Sequence, residues 1–186
     1  MDSTESPSGN VEELFSLSLL SYGIGRQIQF DEATSHGEEH TLDLPAEAKP
    51  LLLDSLAELA MRILDNSQSA PDAEPLEALS LVKGIMASFL NSTADPKERQ
   101  NADSITLGAT YMEAVLAGDV AEVQTLVSGF STTELIEALL RLNRQLCLLE
   151  SSATNMTRVQ WLGVLLQLGA KASINLLVEL PDTQDE

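Results

Sequence analysis

The stretch from residue 131 to residue 150 carries apolar residues over most of a helical surface. One set recurs at steps of four and three, which places its members on one face of an α-helix: Leu135, Leu139, Leu142, Leu146 and Leu149. A second stripe beside it consists of Ile136, Leu140 and Cys147. A helix with two adjoining apolar faces needs more than one neighbour to cover them. The pattern predicts the central helix of a bundle, with a capping box at Ser131 and Glu134.

Hydrophobic periodicity and helix-start signals predict six further helices. They cover residues 10–22, 45–66 or 50–66, 75–91, 96–116, 120–127 and 157–168. The 4% aromatic content, together with abundant Leu and Ala, favours helix over strand. The predicted fold class is therefore all-α, a multi-helix bundle of about seven helices, whose short connections favour antiparallel neighbours.

The helical period disappears between residues 24 and 44, and Gly23 is a predicted helix stop. Residues 27–30 and 41–44 alternate polar and apolar side chains, which favours a small β-hairpin. An irregular loop that lies over the bundle fits the same residues. The sequence leaves these two alternatives open.

The length and the 44% hydrophobic content allow one core or two small bundles in tandem, and we predict a single helical domain over residues 10–180. Residues 1–9 are rich in Ser, Pro, Gly and acid, and residues 181–186 are acidic. Such segments bury too little apolar surface to offset the entropy of ordering. We therefore predict a disordered acidic tail at each end.

The chain is strongly acidic, with 29 Asp and Glu against 10 Lys and Arg and a formal net charge of -19. Affinity for nucleic acid or for an anionic membrane depends on clustered basic side chains. The charge balance therefore argues against direct nucleic-acid binding and against membrane binding.

The single cysteine, Cys147, cannot form an internal disulfide, which indicates a reducing compartment. Acidic residues and Pro7 occupy the place where an export signal would have its apolar run. The apolar stretch 159–178 contains Lys171 and Gly169, which favours a buried helix and a second element over a membrane span. We expect a cytoplasmic protein.

The two histidines, His36 and His40, lie close to Glu38 and Glu39. Imidazole and carboxylate ligands suit zinc or iron, and histidines four apart share one helical face. Gly37 and the lost period place the cluster in a loop, however, and a metal site needs further ligands. We predict a solvated acidic loop without a bound metal or other cofactor. A small metal-dependent enzyme at this loop is the alternative function.

Cys147 lies on an apolar stripe with no histidine near it in sequence, so it is predicted to be a core residue and not a nucleophile. No catalytic residue is predicted elsewhere in the chain.

The seventh helix is apolar nearly all round. Val159, Leu162 and Leu166 lie on one side, and the predicted interface residues lie on another: Trp161, Leu165 and Leu168. If one side stays open, pairing with a second copy about a two-fold axis is the commonest way to cover it. The sequence therefore predicts a homodimer.

These observations favour a non-catalytic protein-binding or regulatory adaptor module whose partner is another protein. A further alternative is an acidic mimic of DNA that inhibits a nucleic-acid-binding protein. That function requires the acids to line one surface at phosphate-like spacing.

Overall fold

The computed structural model describes residues 8–38, 43–69 and 71–178. These residues form seven α-helices and one short 3-10 turn, Ala46–Ala48, with no strand among them. In chain order the helices are α1 (Ser8–Ser35), α2 (Lys49–Asp65), α3 (Pro75–Ser92), α4 (Pro96–Leu116), α5 (Val120–Gly129), α6 (Thr132–Thr154) and α7 (Arg158–Val178). The prediction of an all-α bundle of about seven helices is confirmed.

Helix α6 is the central helix, as its two apolar stripes predict. It packs against α1, α2, α4 and α7, and Leu139 and Cys147 on its two stripes are fully buried. The capping box is also present: the Ser131 N–H donates to the Glu134 carboxylate at 2.8 Å, and the Glu134 N–H donates to Ser131 Oγ at 3.2 Å. The hydrogen bonds from the Ser131 side chain and backbone lower the pKa of the Glu134 carboxyl. The start of the central helix is therefore fixed by local chemistry that the sequence displays.

Four helices close a ring of contacts around the core. Helix α1 packs on α2, α2 on α6, α6 on α7, and α7 on α1. Helix α4 covers another side of α6, while α3 and α5 pack on α4. All seven helices contribute residues to one hydrophobic core. Helix α3 thus belongs to an outer layer and has α4 as its main neighbour.

Helices α2 and α6 run in the same direction. Lys49 Nζ donates to Thr133 Oγ1 at 2.9 Å near their starts, and the Asn143 amide donates to the Leu56 carbonyl oxygen at 3.1 Å further along both. The prediction of antiparallel neighbours concerns helices that are joined by short connections, so it does not apply to this pair. The chain joins them through α3, α4 and α5, so no short connection constrains their relative direction.

Helix α1 is longer than predicted at both ends. It begins at Ser8, so residues 8 and 9, which the sequence assigns to the predicted tail, are helical. It continues to Ser35, so the hairpin or loop predicted for residues 24–44 is wrong for residues 24–35. The helical period does continue there, but two of the inward positions are polar and buried, Gln27 and Asp31. Residues 1–7, 39–42 and 179–186 lie outside the described residues.

Gly23 and Gly169, which the sequence predicts to be helix breaks, lie inside continuous helices. A Cβ on Gly23 would lie 2.5 Å from the Ser55 carbonyl oxygen, so glycine permits the close approach of α1 and α2. A Cβ on Gly169 would lie 3.2 Å from Leu17 and 3.3 Å from Leu20, at the contact between α7 and α1. Helix α7 therefore continues to Val178. Among the described helices, none combines the length and the hydropathy required to cross a bilayer.

Candidate functional site

An open groove lies between α1 and α7, which run in opposite directions. Arg158 at the start of α7 lies beside Asp31 near the end of α1, and Gly169 further along α7 lies beside Leu17 near the start of α1. The groove has a volume of about 540 Å³. Its lining residues are Leu17, Ser18, Ser21, Tyr22, Leu166 and Ala170.

Small side chains create this groove. Helix α1 presents Ser18 and Ser21 beside α7, and α7 presents Ala170, while the larger Leu17 and Leu166 form apolar walls. The Arg26 guanidinium lies over the Tyr22 ring, 5.5 Å from the ring centroid, at a distance typical of a cation–π contact. This contact holds the Tyr22 ring in place where it lines the groove.

An exposed apolar surface continues from the groove along the first turns of α1. Val11 and Phe15 are 68% and 60% exposed, and Leu14 is 41% exposed. Leu14 precedes Ser21 by seven residues and Ser18 by four, so these side chains share one face of the helix. The groove and this surface therefore form one elongated apolar site.

A buried polar cluster joins α1, α6 and α7 at the other end of α1. Gln27 Nε2 donates to Asp31 Oδ1 at 3.0 Å and to the Leu140 carbonyl oxygen at 3.0 Å. Two guanidinium groups lie beside the same carboxylate, with Arg144 Nη1 at 3.4 Å from Asp31 Oδ1 and Arg158 Nε at 3.6 Å from Asp31 Oδ2. The cluster ties the end of α1 to α6 and to the start of α7, and so positions the two helices that border the groove.

Cys147 lies close to this cluster and is fully buried, as predicted for a core residue. Burial raises the pKa of the Cys147 thiol, the Asp31 carboxylate raises it further, and Arg158 opposes this effect. Because the thiolate is the reactive form, a raised pKa and a buried sulfur disfavour nucleophilic chemistry.

We expect the Cys147 thiol of the folded protein to react with an aromatic disulfide reagent more than about 100-fold more slowly than that of the unfolded chain, since reaction requires opening of the core. The release of the coloured thiolate at pH 8, with and without denaturant, measures both rates. Leu148→Cys, which adds a thiol at a position that is 40% exposed, is the positive control. Fast reaction of one equivalent of the folded wild type would place Cys147 at an accessible surface.

The acidic loop that follows α1 is described only in part. His36 is exposed, and its Nδ1 lies 2.8 Å from the Glu32 carbonyl oxygen. Gly37 has a φ of 70°, and Glu38 is exposed. Glu39 and His40 lie outside the described residues. Within the described part of the chain, no three His, Cys, Asp or Glu side chains are grouped closely enough to hold a metal ion.

The three predicted interface residues of α7 differ in exposure. Trp161 and Leu165 are 3% and 2% exposed, whereas Leu168 is 46% exposed. Of the residues on the opposite side, Val159 is 55% exposed and Leu166 lines the groove. A protein that docks on the folded chain can therefore reach Leu168, Val159 and Leu166, but not the Trp161 ring.

No sequence pattern marks Ser18, Ser21 or Tyr22 as site residues. Ser18 and Ser21 lie on the outer side of a helix, where small polar residues are ordinary, and Tyr22 is partly buried against the core. The three residues line a groove only because α7 passes beside them. A weak signal was present in the exposed apolar residues that precede them at helical spacing, Val11, Leu14 and Phe15.

Comparison of the chain with protein-family models, with curated proteins and with solved structures gives no match.

Proposed function

We propose that this protein is a non-catalytic binding module that holds an amphipathic helix of another protein in the α1–α7 groove. The observation that carries this proposal is the continuous apolar site formed by Leu14 with the groove walls Leu17 and Leu166. Monomeric proteins rarely leave such a surface uncovered unless it serves an interaction.

The shape of the site supports a helical ligand. The groove lies between two antiparallel helices, and a third helix can bury one apolar stripe along such a groove. From Val11 to Tyr22 the site is about 16 Å long at 1.5 Å per residue, which corresponds to about three turns of a bound helix. The small Ser18, Ser21 and Ala170 side chains leave room for large residues of the ligand.

The chemistry of the lining supports binding over catalysis. The side-chain polar groups that line the groove are the hydroxyls of Ser18, Ser21 and Tyr22. Nucleophilic catalysis requires a base beside the nucleophile, and the six lining residues include no imidazole, carboxylate or amine. The hydroxyls are suited to hydrogen bonds that fix the register of a bound helix.

The charge of the chain supports a cationic partner. A net charge of -19 attracts a helix whose outer side carries Lys or Arg, and it speeds association at low salt. We therefore propose apolar residues on the docking face of the ligand helix and basic residues on its outer face, with binding in the cytoplasm.

Ser21→Arg tests the groove, because a long charged side chain would fill it and would lose hydration when a ligand helix bound. Ser21 is exposed, so the fold should tolerate the change. In a quantitative pull-down from native cell extract, we expect at least one protein bound by the wild type to fall more than about tenfold in abundance with this variant, which corresponds to about 1.4 kcal/mol.

Ser128→Arg is the matched control, since Ser128 is an exposed serine of α5, a helix that neither borders nor lines the groove. It should retain the same protein at the wild-type level, and a synthetic peptide from that protein should gain helical circular dichroism on binding. Equal recovery with Ser21→Arg and with the wild type would refute the groove as the binding site.

A further inference from the structure

The outer face of α3 carries a row of exposed apolar side chains. Leu81, Ile85 and Phe89 follow one another at steps of four and are 62%, 44% and 39% exposed. Between residues 80 and 92 the one charged residue is Lys83, which is directed to α4, where its Nζ lies 2.6 Å from Glu113 Oε2. In a chain of charge -19, this row is therefore a charge-free apolar surface.

A row of small residues runs beside the apolar row. Ser80, Gly84 and Ser88 are all exposed, and they too follow one another at steps of four. A Cβ on Gly84 would meet no atom within 4 Å. The face therefore consists of a ridge of large side chains beside a parallel depression, the two features that pack against each other when helices interlock along their four-residue rows.

Each end of this face carries a charged side chain, Glu77 at the start and Arg99, with Glu98 beside it, at the end. Glu77 is exposed one turn before Leu81, near the start of α3. At the other end the Arg99 guanidinium donates to the carbonyl oxygens of Leu90 at 2.7 Å and Thr93 at 3.1 Å. When a second copy of the helix is placed antiparallel to the first, the acidic residue of each copy faces the basic residue of the other.

We infer that the outer face of α3 pairs with the same face of a second copy of this chain, in an antiparallel arrangement about a two-fold axis near Gly84. An isologous interface requires a surface that is complementary to itself. In this arrangement the ridge of each copy enters the small-residue row of the other, at an interaxial angle of about -50°. Glu77 of each copy then lies toward Arg99 of the other.

The charge of the protein favours this face for self-association. Two copies that each carry -19 repel one another, and a contact without acids in its centre brings the fewest like charges together. One helix pair buries less area than a standard interface, so the dimer is expected to be in exchange with monomer at micromolar concentrations. Salt should strengthen it, because screening reduces the repulsion between the two acidic copies.

Sedimentation equilibrium of the full chain tests the pairing. The wild type should approach twice the 20.0 kDa mass of the chain as concentration rises. Leu81→Arg places a charge in the ridge and should raise the dissociation constant at least about tenfold. Val120→Arg adds the same charge at an α5 residue of similar exposure, 66% against 62%, and should leave the wild-type dissociation constant unchanged.

Oxidative cross-linking tests the position of the two-fold axis. The native thiol of Cys147 is buried, so a new cysteine can be followed by itself. Gly84→Cys should form a disulfide-linked dimer under mild oxidation, because each copy brings residue 84 close to the axis. Val120→Cys should remain monomeric on a non-reducing gel under the same conditions.

Three results would overturn the inference: a wild type that stays at 20.0 kDa at all concentrations and salt levels, a Leu81→Arg variant that dimerises as the wild type does, or equal cross-linking at positions 84 and 120. Ser21→Arg in the α1–α7 groove should dimerise normally. The proposals for the groove and for the outer face of α3 can therefore be supported or refuted independently of each other.

Discussion

Leu139→Ala is expected to lower the free energy of unfolding by about 2–5 kcal/mol, the cost of removing buried methyl groups and leaving a cavity. Leu139 is fully buried on the central helix α6, which is covered by four other helices. Neighbours on several sides limit the collapse of the cavity, so we expect a value toward the upper end of this range. Urea unfolding followed by circular dichroism gives the free energy.

Leu148→Ala is the matched control in the same helix, since Leu148 is 40% exposed. Its loss should be about 1 kcal/mol or less, because a large part of the side chain is already in water. Similar losses for the two variants would show that α6 is not enclosed as described.

Gly23→Ala should destabilise the protein by about 1–3 kcal/mol, the usual cost of overpacking. The added Cβ would lie 2.5 Å from the Ser55 carbonyl oxygen, a backbone atom that can move away only if α1 and α2 separate. The gain in helix propensity on replacing glycine, about 1 kcal/mol, is too small to offset such a clash. The shift in urea midpoint at constant slope measures the effect.

Gly25→Ala, two residues along the same helix, should have the opposite sign. A Cβ on Gly25 would meet nothing within 4 Å, so only the gain in helix propensity remains, and we expect a stabilisation of about 0.5–1 kcal/mol. Comparison of Gly23→Ala with Gly25→Ala separates the effect of packing on stability from the effect of helix propensity. Stabilisation by both substitutions would mean that α1 and α2 are further apart than the structure places them.

The central helix could be predicted from sequence because most inward positions of α6 are apolar, with Asn143 and Glu150 as the polar exceptions, and because its capping box is local. Leu139 and Leu142 on one stripe and Leu140 on the other repeat without interruption. The neighbour relations could not be predicted in the same way, since the pairing of α2 with α6 joins residues that are far apart in the chain.

Helix α1 shows why some helix ends were predicted wrongly. Gln27 and Asp31 occupy inward positions, where a pattern of apolar residues would have revealed the helix. They are buried against partners on α6 and α7 that the sequence of α1 does not show. The local sequence predicts a helix stop at Gly23. Its packing role cannot be predicted locally, because it depends on the Ser55 backbone of another helix.

The candidate groove was predictable only in part. The two apolar sides of α7 predict that one side is left open for a contact outside the bundle. Leu166, on one of these sides, does line the groove. Ser18 and Ser21 carry no signal of their own, because a small residue marks a depression only when the neighbouring helix is known.

The wide separation of α2 and α6 along the chain also has a consequence for synthesis on the ribosome. After α2 ends at Asp65, about 90 further residues must be made before α6 is complete, which takes on the order of 5–20 s. During that interval, the side of the nascent α1–α2 pair that α6 later covers remains exposed to water and to chaperones. Gln27 and Asp31 make that exposed side less apolar, so we expect these two side chains to reduce the aggregation of unfinished chains before they join the buried polar cluster.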